Sequence, residues 1–190
     1  YGETTLFTIL PQVVDAVDIP VLAGCGVGDA RGFIAALALG AEGVCMGTRF
    51  LATHESRWHP KTKQALLDAG DNATVAWRDS RGHGGNHWPL ERTFRNEFTK
   101  KYQELDRSGA AKEALEAFID EYKDPAQRGL DRKAGGYFEA DLQWGEVNMG
   151  AVSGLIKELK HAGDVVTDMM SEAEGVLNRL HADPFRAKLG

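Results

Sequence analysis

Two short apolar runs, each ending in a glycine turn and separated by one helix's length of chain, constrain this sequence more than any other feature. Ile19-Pro20-Val21-Leu22-Ala23 leads into Gly24-Cys25-Gly26-Val27-Gly28, and Gly43-Val44-Cys45-Met46 leads into Gly47-Thr48. The first run reads as a parallel strand buried on both faces. Between the runs, Asp29 suits an N-cap, Phe33, Ile34, Leu37 and Leu39 give a helical apolar stripe, and Gly40 ends it. A strand–helix–strand crossover is right-handed, so the two strands lie parallel and both turns open on one sheet edge. Gly24, Gly26 and Gly28 remove side chains there and let backbone amides approach a ligand.

Two adjacent turns of exposed amides, each leading into a helical segment, make a site for a phosphate. In eight-stranded α/β barrels such a site follows the last two strands. The spacing Gly24-x-Gly26-x-Gly28 lacks the two residues that precede the last glycine of the dinucleotide fingerprint, which argues against a Rossmann domain.

At 190 residues, 43% hydrophobic and 26% charged, the chain has an ordinary globular composition and one domain is the default. A formal net charge of −6 argues against nucleic acid or an anionic membrane as the main partner. No apolar stretch approaches the ~20 residues that cross a bilayer. Tyr1-Gly2-Glu3 lacks the basic start and apolar core of a signal peptide. Two cysteines make no disulfide framework, so a cytoplasmic, reducing setting is expected.

In chain order, Thr4 or Thr5 caps a helix over residues 6–17 whose apolar face is Leu6, Ile9, Leu10, Val13, Val14 and Val17. Pro11 is expected in the first turn of the helix proper, after a leading loop. Residues 51–59 read as loop, and Pro60 opens a helix to about Ala69, stopped by Gly70. Residues 74–77 suit a short strand and 80–89 a loop. Residues 90–105 are expected as a helix with Phe94, Phe98 and Leu105 inward and its Lys and Arg residues on a solvated face. Residues 110–122 give a further helix and 123–136 a mobile connection. Residues 150–160 and 164–180 give two closing helices, and the tail from 182 is expected to fray. The organisation expected is an α/β part over 1–58, a helical and loop region over 59–150, and closing helices over 151–190. Two strands cannot close a sheet and leave unpaired edges. The chain therefore reads as the C-terminal part of a larger α/β unit, whose other strands come from upstream residues or a second chain.

Five stretches carry a family resemblance, in order and at natural spacing. They are Leu10-Pro11-Gln12-Val13-Val14-Asp15-Ala16-Val17, Ile19-Pro20-Val21, Asp29-Ala30-Arg31-Gly32, the run from Ala36 to Val44, and Met46-Gly47-Thr48-Arg49-Phe50. Together they resemble the C-terminal half of the nitronate monooxygenase family, formerly 2-nitropropane dioxygenases, which includes the flavin-type enoyl-acyl carrier protein reductases. Arg92-Thr93-Phe94-Arg95-Asn96 and the stretch Ala151-Val152-Ser153-Gly154-Leu155-Ile156-Lys157 are similar to later segments of that family.

The resemblance implies an FMN-binding TIM barrel, of which these are the last two strands, followed by a mostly helical region. It implies that Gly24, Cys25 and Gly26 after the seventh strand, and Cys45, Met46, Gly47 and Thr48 after the eighth, hold the FMN phosphate. The family commonly has Gly-Gly where this chain has Cys25-Gly26, and Gln where it has Cys45. Backbone donation survives both changes; a side-chain contact to flavin from position 45 does not carry over. The family's acid/base histidine lies in a Gly-Gly-His element whose tail Tyr1-Gly2-Glu3 resembles. It is expected just before Tyr1, which leaves the catalytic residue unassigned here. The implied activity is FMN-dependent oxidation of nitronates or nitroalkanes, small-molecule substrates, by an enzyme that can be a homo-oligomer. Two alternatives stand beside it: an NAD(P)H-dependent reductase of an enoyl or other acyl thioester, and a non-catalytic split-barrel subunit.

Other candidates remain open. Cys25 and Cys45 fall at the ends of adjacent strands, either as small residues flanking the phosphate or as a redox pair. His54 and His59 are five apart with Pro60 next, which does not suit a zinc helix, and no metal is expected. His83 and His87 sit in a glycine-rich loop, either at an active-site mouth or in solvent. Trp144-Gly145-Glu146-Val147-Asn148 either closes over the flavin, as the resemblance implies, or packs its loop through Trp144.

Overall fold

The computed structural model describes residues 4–77, 91–121 and 132–182. Its elements are α1 (Leu6–Ala16), β1 (Leu22–Gly24), α2 (Ala30–Ala38), β2 (Gly43–Cys45), α3 (Thr48–Leu51), α4 (Pro60–Leu67), β3 (Thr74–Trp77), β4 (Glu91–Phe94), α5 (Glu97–Arg107), α6 (Lys112–Glu121), α7 (Arg132–Phe138), a 3₁₀ turn (Ala151–Leu155) and α8 (Ala162–Ala182). The fold is mixed α/β and helix-rich, and it divides into two units. One comprises Thr4–Ser56 with Glu158–Gly190; the other holds Arg57–Lys157.

In the first unit β1 and β2 pair in parallel, with Leu22 opposite Gly43, Ala23 opposite Val44 and Gly24 opposite Cys45. One face of this ladder is covered: Ala23 packs with Leu10, Ala36 and Ala41, and Leu6, Val14 and Val44 join the cluster. Alternation along a strand sends Leu22 to the opposite face. There Leu22 is 63% exposed, and Ile19 just before the strand is 70% exposed. The strand expected to be buried on both faces is therefore buried on one, because α1 and α2 lie on the same side of the ladder.

α1 begins at Leu6, and Pro11 lies inside it rather than in its first turn. A mid-helix proline forfeits one backbone bond and strains the turn before it. Leu6, Leu10 and Val14, four apart on either side of Pro11, all reach the core cluster and hold the helix through that point. The expected six-residue face is split, since Ile9, Val13 and Val17 stay about two-fifths exposed. Gly40, at φ +95°, closes the loop after α2; a Cβ there would stand 2.8 Å from Val14 Cγ1. α8 packs on α2 through Ala173 against Ala30 and Ile34. It starts at Ala162, so Ala162 and Gly163, expected between two helices, belong to its first turn, while His161 stays outside it. Glu55 reaches that end: Oε2 accepts from Ala162 N at 3.0 Å and Oε1 lies 3.1 Å from His161 Nδ1.

In the second unit β3 and β4 are antiparallel, with Thr74 opposite Phe94 and Val75 opposite Thr93. The helix expected over 90–105 thus starts late. Asn96 ends the strand and caps α5, accepting from Thr99 N at 3.1 Å while Asn96 N donates to Thr99 Oγ1 at 2.8 Å. That reciprocal box stops the helix from extending back into 91–94. Phe94 accordingly belongs to the strand, whereas Phe98 enters a core with Tyr102, Leu115 and Ile119. α4 starts at Pro60 as expected, and His59 Nδ1 accepts from Lys61 N at 3.1 Å.

The connection expected to be mobile over 123–136 runs at its end into a helix, Arg132–Phe138. Gly136 there allows a backbone approach: a Cβ would collide with the carbonyl of Glu146 and meet Val147 Cγ2 at 2.9 Å. Residues 151–155 form a 3₁₀ turn, not the helix expected over 150–160. The loop expected at 80–89, with His83 and His87, and the tail from 183 lie outside the described residues. Among the described residues no helix is long and apolar enough to cross a membrane.

Candidate functional site

The site expected from the glycine turns lies wholly in the first unit. Because Gly24 pairs with Cys45 in a parallel ladder, the turns that follow them leave the same edge. After Gly24 the chain passes through two consecutive residues of positive φ, Cys25 at 71° and Gly26 at 84°. Glycine adopts that conformation freely, whereas a cysteine there costs on the order of 1 kcal/mol. The second turn, Cys45-Met46-Gly47, leads directly into α3, with Gly47 O accepting from Phe50 N at 3.0 Å and Leu51 N at 3.1 Å. The first turn of any helix carries amides without acceptors inside the helix.

Among the described residues, no atom beyond the adjoining residues comes within 4 Å of where a Cβ would stand on Gly24, Gly26 or Gly47. Backbone is thus presented to open space at three places along one edge. The residues present suit an anionic group held by main-chain amides, which is the chemistry a flavin phosphate requires.

The amino end of α2, the other helix leading from this edge, is filled by its own chain. Asp29 Oδ1 accepts from Arg31 N at 2.9 Å and from Gly32 N at 3.1 Å. The Arg31 guanidinium pairs with the same carboxylate, donating from Nε at 2.9 Å. Partial burial pushes the Asp29 carboxyl up, but the Arg31 side chain and the two amides outweigh it and hold the group below its ordinary range. Arg31 neutralises the charge locally, so Asp29 shapes the turn without setting a bare carboxylate beside it. The amino end of α2 is thus taken by Asp29, which leaves the turns at 24–26 and 45–48 as the candidate positions for an anion at this edge.

Arg49, which the sequence shows only as one member of the Met46–Phe50 stretch, has a structural role of its own. Its side chain is 6% exposed, and Nη2 donates to Ala52 O and to Glu158 O, both at 3.0 Å. It ties α3 to the segment that leads into α8. Burial pulls the guanidinium pKa down, with the Glu158 charge acting the other way. The place of Arg49 directly after Gly47-Thr48, at the start of a short apolar segment, is the sequence signal that could mark it.

The remaining candidates fall elsewhere. The His54 ring meets the His161 ring at a tilt, 4.6 Å between centroids, and His59 caps α4, so they serve different ends. Among the described residues no group of three or more His, Cys, Asp or Glu could hold a metal ion. Trp144 packs against the Phe98 core, with Lys101 Nζ 4.8 Å from its ring centroid, which favours the packing account of that loop.

Residues 1–172 match the family model described as nitronate monooxygenase. The chain belongs to the nitronate monooxygenase family. A dehydrogenase of Rhodococcus jostii, named for an octahydro-indene-4-carboxyl-CoA substrate, is 34% identical over 90% of this chain and 55% of its own length. A probable nitronate monooxygenase of Bacillus subtilis is 48% identical over 38% of this chain and 22% of its own. Among solved structures, FabK from Thermotoga maritima superposes with a TM-score of 0.78 at 33% identity, over 95% of this chain and 52% of that one. The chain spans about half the length of that dehydrogenase and of FabK.

Proposed function

We propose that this chain supplies the phosphate-binding corner of an FMN-dependent oxidoreductase. The carrying observation is the pairing of Gly24 with Cys45, which brings two side-chain-poor turns to one edge with open space above them. In this proposal Gly24, Cys25 and Gly26 hold the phosphate from one side and Cys45, Met46, Gly47 and Thr48 from the other, through main-chain amides. Bound there, the flavin supplies the redox chemistry, and the chain supplies binding and orientation.

β1 and β2 are then the last two strands of a TIM barrel. The exposed Leu22 face and the outer edges of the ladder, which pair with no further strand among the described residues, support this, since both ask for further strands. Those strands come from residues upstream of Tyr1 or from a second chain, and the acid/base histidine comes with them. The substrate is a nitronate or nitroalkane, in keeping with the family. A second reading, an NAD(P)H-dependent reductase of an acyl thioester, is favoured by the likeness to FabK and to a relative named for an acyl-CoA.

Flavin absorbance of the purified protein tests cofactor binding, and turnover separates the two chemistries. Oxygen uptake with an alkyl nitronate supports the first; NAD(P)H consumption with an enoyl thioester supports the second. A colourless protein that takes up no added FMN overturns both.

A further inference from the structure

The chain holds two cysteines in 190 residues, and both stand, free and exposed, at the ends of neighbouring strands. Cys45 faces Gly24 in the ladder, and Cys25 is the next residue along. Neighbouring strands lie about 4.8 Å apart and consecutive Cα atoms about 3.8 Å apart, so a chain that leaves Gly24 square to the ladder carries the Cys25 Cα to roughly 6 Å from that of Cys45. A disulfide spans Cα separations of about 4.4–6.8 Å. Val44 packs with Ala23 in the core, so the pleat sends Cys45 to the uncovered face. Cys25 is held at φ 71°, a conformation that side chains other than those of glycine, Asn and Asp seldom take. Strain of this kind concentrates at functional positions.

We propose that Cys25 and Cys45 are a reversible dithiol–disulfide couple built into the two turns, and that closing it loosens the grip on an anionic ligand. The second half rests on the phosphate-binding role proposed above. Hydrogen peroxide is the oxidant. One thiolate attacks a peroxide oxygen, the O–O bond breaks, and a sulfenic acid and water form. The second thiol then attacks the sulfenic sulfur, the S–O bond breaks, and a second water leaves with the S–S bond in place. Two thiols and one peroxide become one disulfide and two waters. A dithiol reductant returns both thiols by exchange. A bridge needs the Cβ atoms within about 4 Å of each other, which draws the turns together across the space the phosphate would fill.

Trypsin cuts after Arg31 and Arg49, which places Cys25 and Cys45 in separate peptides. Non-reducing peptide mapping after stoichiometric peroxide should recover those peptides joined within one chain, and neither Cys25→Ser nor Cys45→Ser should give the joined species. FMN affinity should fall about tenfold on oxidation and return with dithiothreitol, since small misplacements at a binding site cost that much or more. Separate sulfenic or sulfinic products with no joined peptide, or bridges only between chains, overturn the couple. A joined peptide with unchanged FMN affinity overturns the control of binding. If the reduced protein binds no FMN at all, the proposed function falls, and the peptide map still decides the couple.

Discussion

Gly24 sits directly opposite Cys45, and that register brings the turns that follow β1 and β2 to one sheet edge. A slip of one strand by one residue would turn Ala23 or Val44 out of the core and carry the two turns out of line.

Gly47 offers the cleanest probe of that edge. Its φ of −84° suits any residue, and a Cβ would meet nothing within 4 Å. Gly47→Ala should therefore leave the melting temperature within about 2 °C of the parent, as expected for a surface substitution. Gly47→Asp should fold equally well but weaken FMN at least ~10-fold, because a carboxylate then faces the phosphate. Calorimetric melting and fluorescence titration of FMN check the two halves.

Asp29 should stabilise α2 through its capping bonds. Asp29→Ala is expected to cost about 1 kcal/mol, or roughly 2–4 °C in melting temperature. The carboxyl is held below its ordinary range in the folded chain, so its contribution is complete above the usual carboxylate pKa. It is lost as pH falls through the folded value. Denaturation of parent and variant should therefore differ at neutral pH and converge toward strongly acid pH.

Arg49 is bonded to two main-chain carbonyls inside the fold. Arg49→Ala should cost about 2–3 kcal/mol, since both acceptors lose their donor away from water. Arg49→Lys should recover only part of that, because an ammonium lacks the planar fork of a guanidinium. Urea denaturation midpoints measure both.

Gly136 is required by close packing rather than by its dihedral. Gly136→Ala would drive a methyl into the Glu146 carbonyl, and a loss of about 1–3 kcal/mol is expected. The same substitution at Gly175, where a Cβ meets nothing within 4 Å, should not destabilise α8. Urea denaturation of the two variants side by side checks the contrast.

The parallel pair β1–β2 and the cap of α2 were legible because local signals agree there: an apolar run, a glycine turn, Asp29 and a stripe at helical spacing. Long-range packing hid the rest. Pro11 is tolerated because Leu6, Leu10 and Val14 bury on both sides of it, which no window of propensity shows. Residues 91–94 became a strand because Thr74–Trp77, far back in the chain, pairs with them. The helical pattern of Phe94 and Phe98 carried no trace of that partner. The role of Arg49 depends on the carbonyl of Glu158, which comes from the far end of the chain and leaves no local signal. The exposure of Leu22 could not be read from its apolar neighbours, because exposure depends on what covers the strand rather than on the strand itself.

The most direct measurement titrates the purified protein with FMN and, in parallel, with riboflavin, which has the same ring system and no phosphate. Amides of residues 24–26 and 45–48 that hold the phosphate predict tight FMN binding and riboflavin weaker by about a hundredfold, in line with the loss of charge-assisted hydrogen bonds. Equal affinity for the two, or binding of neither, would contradict it.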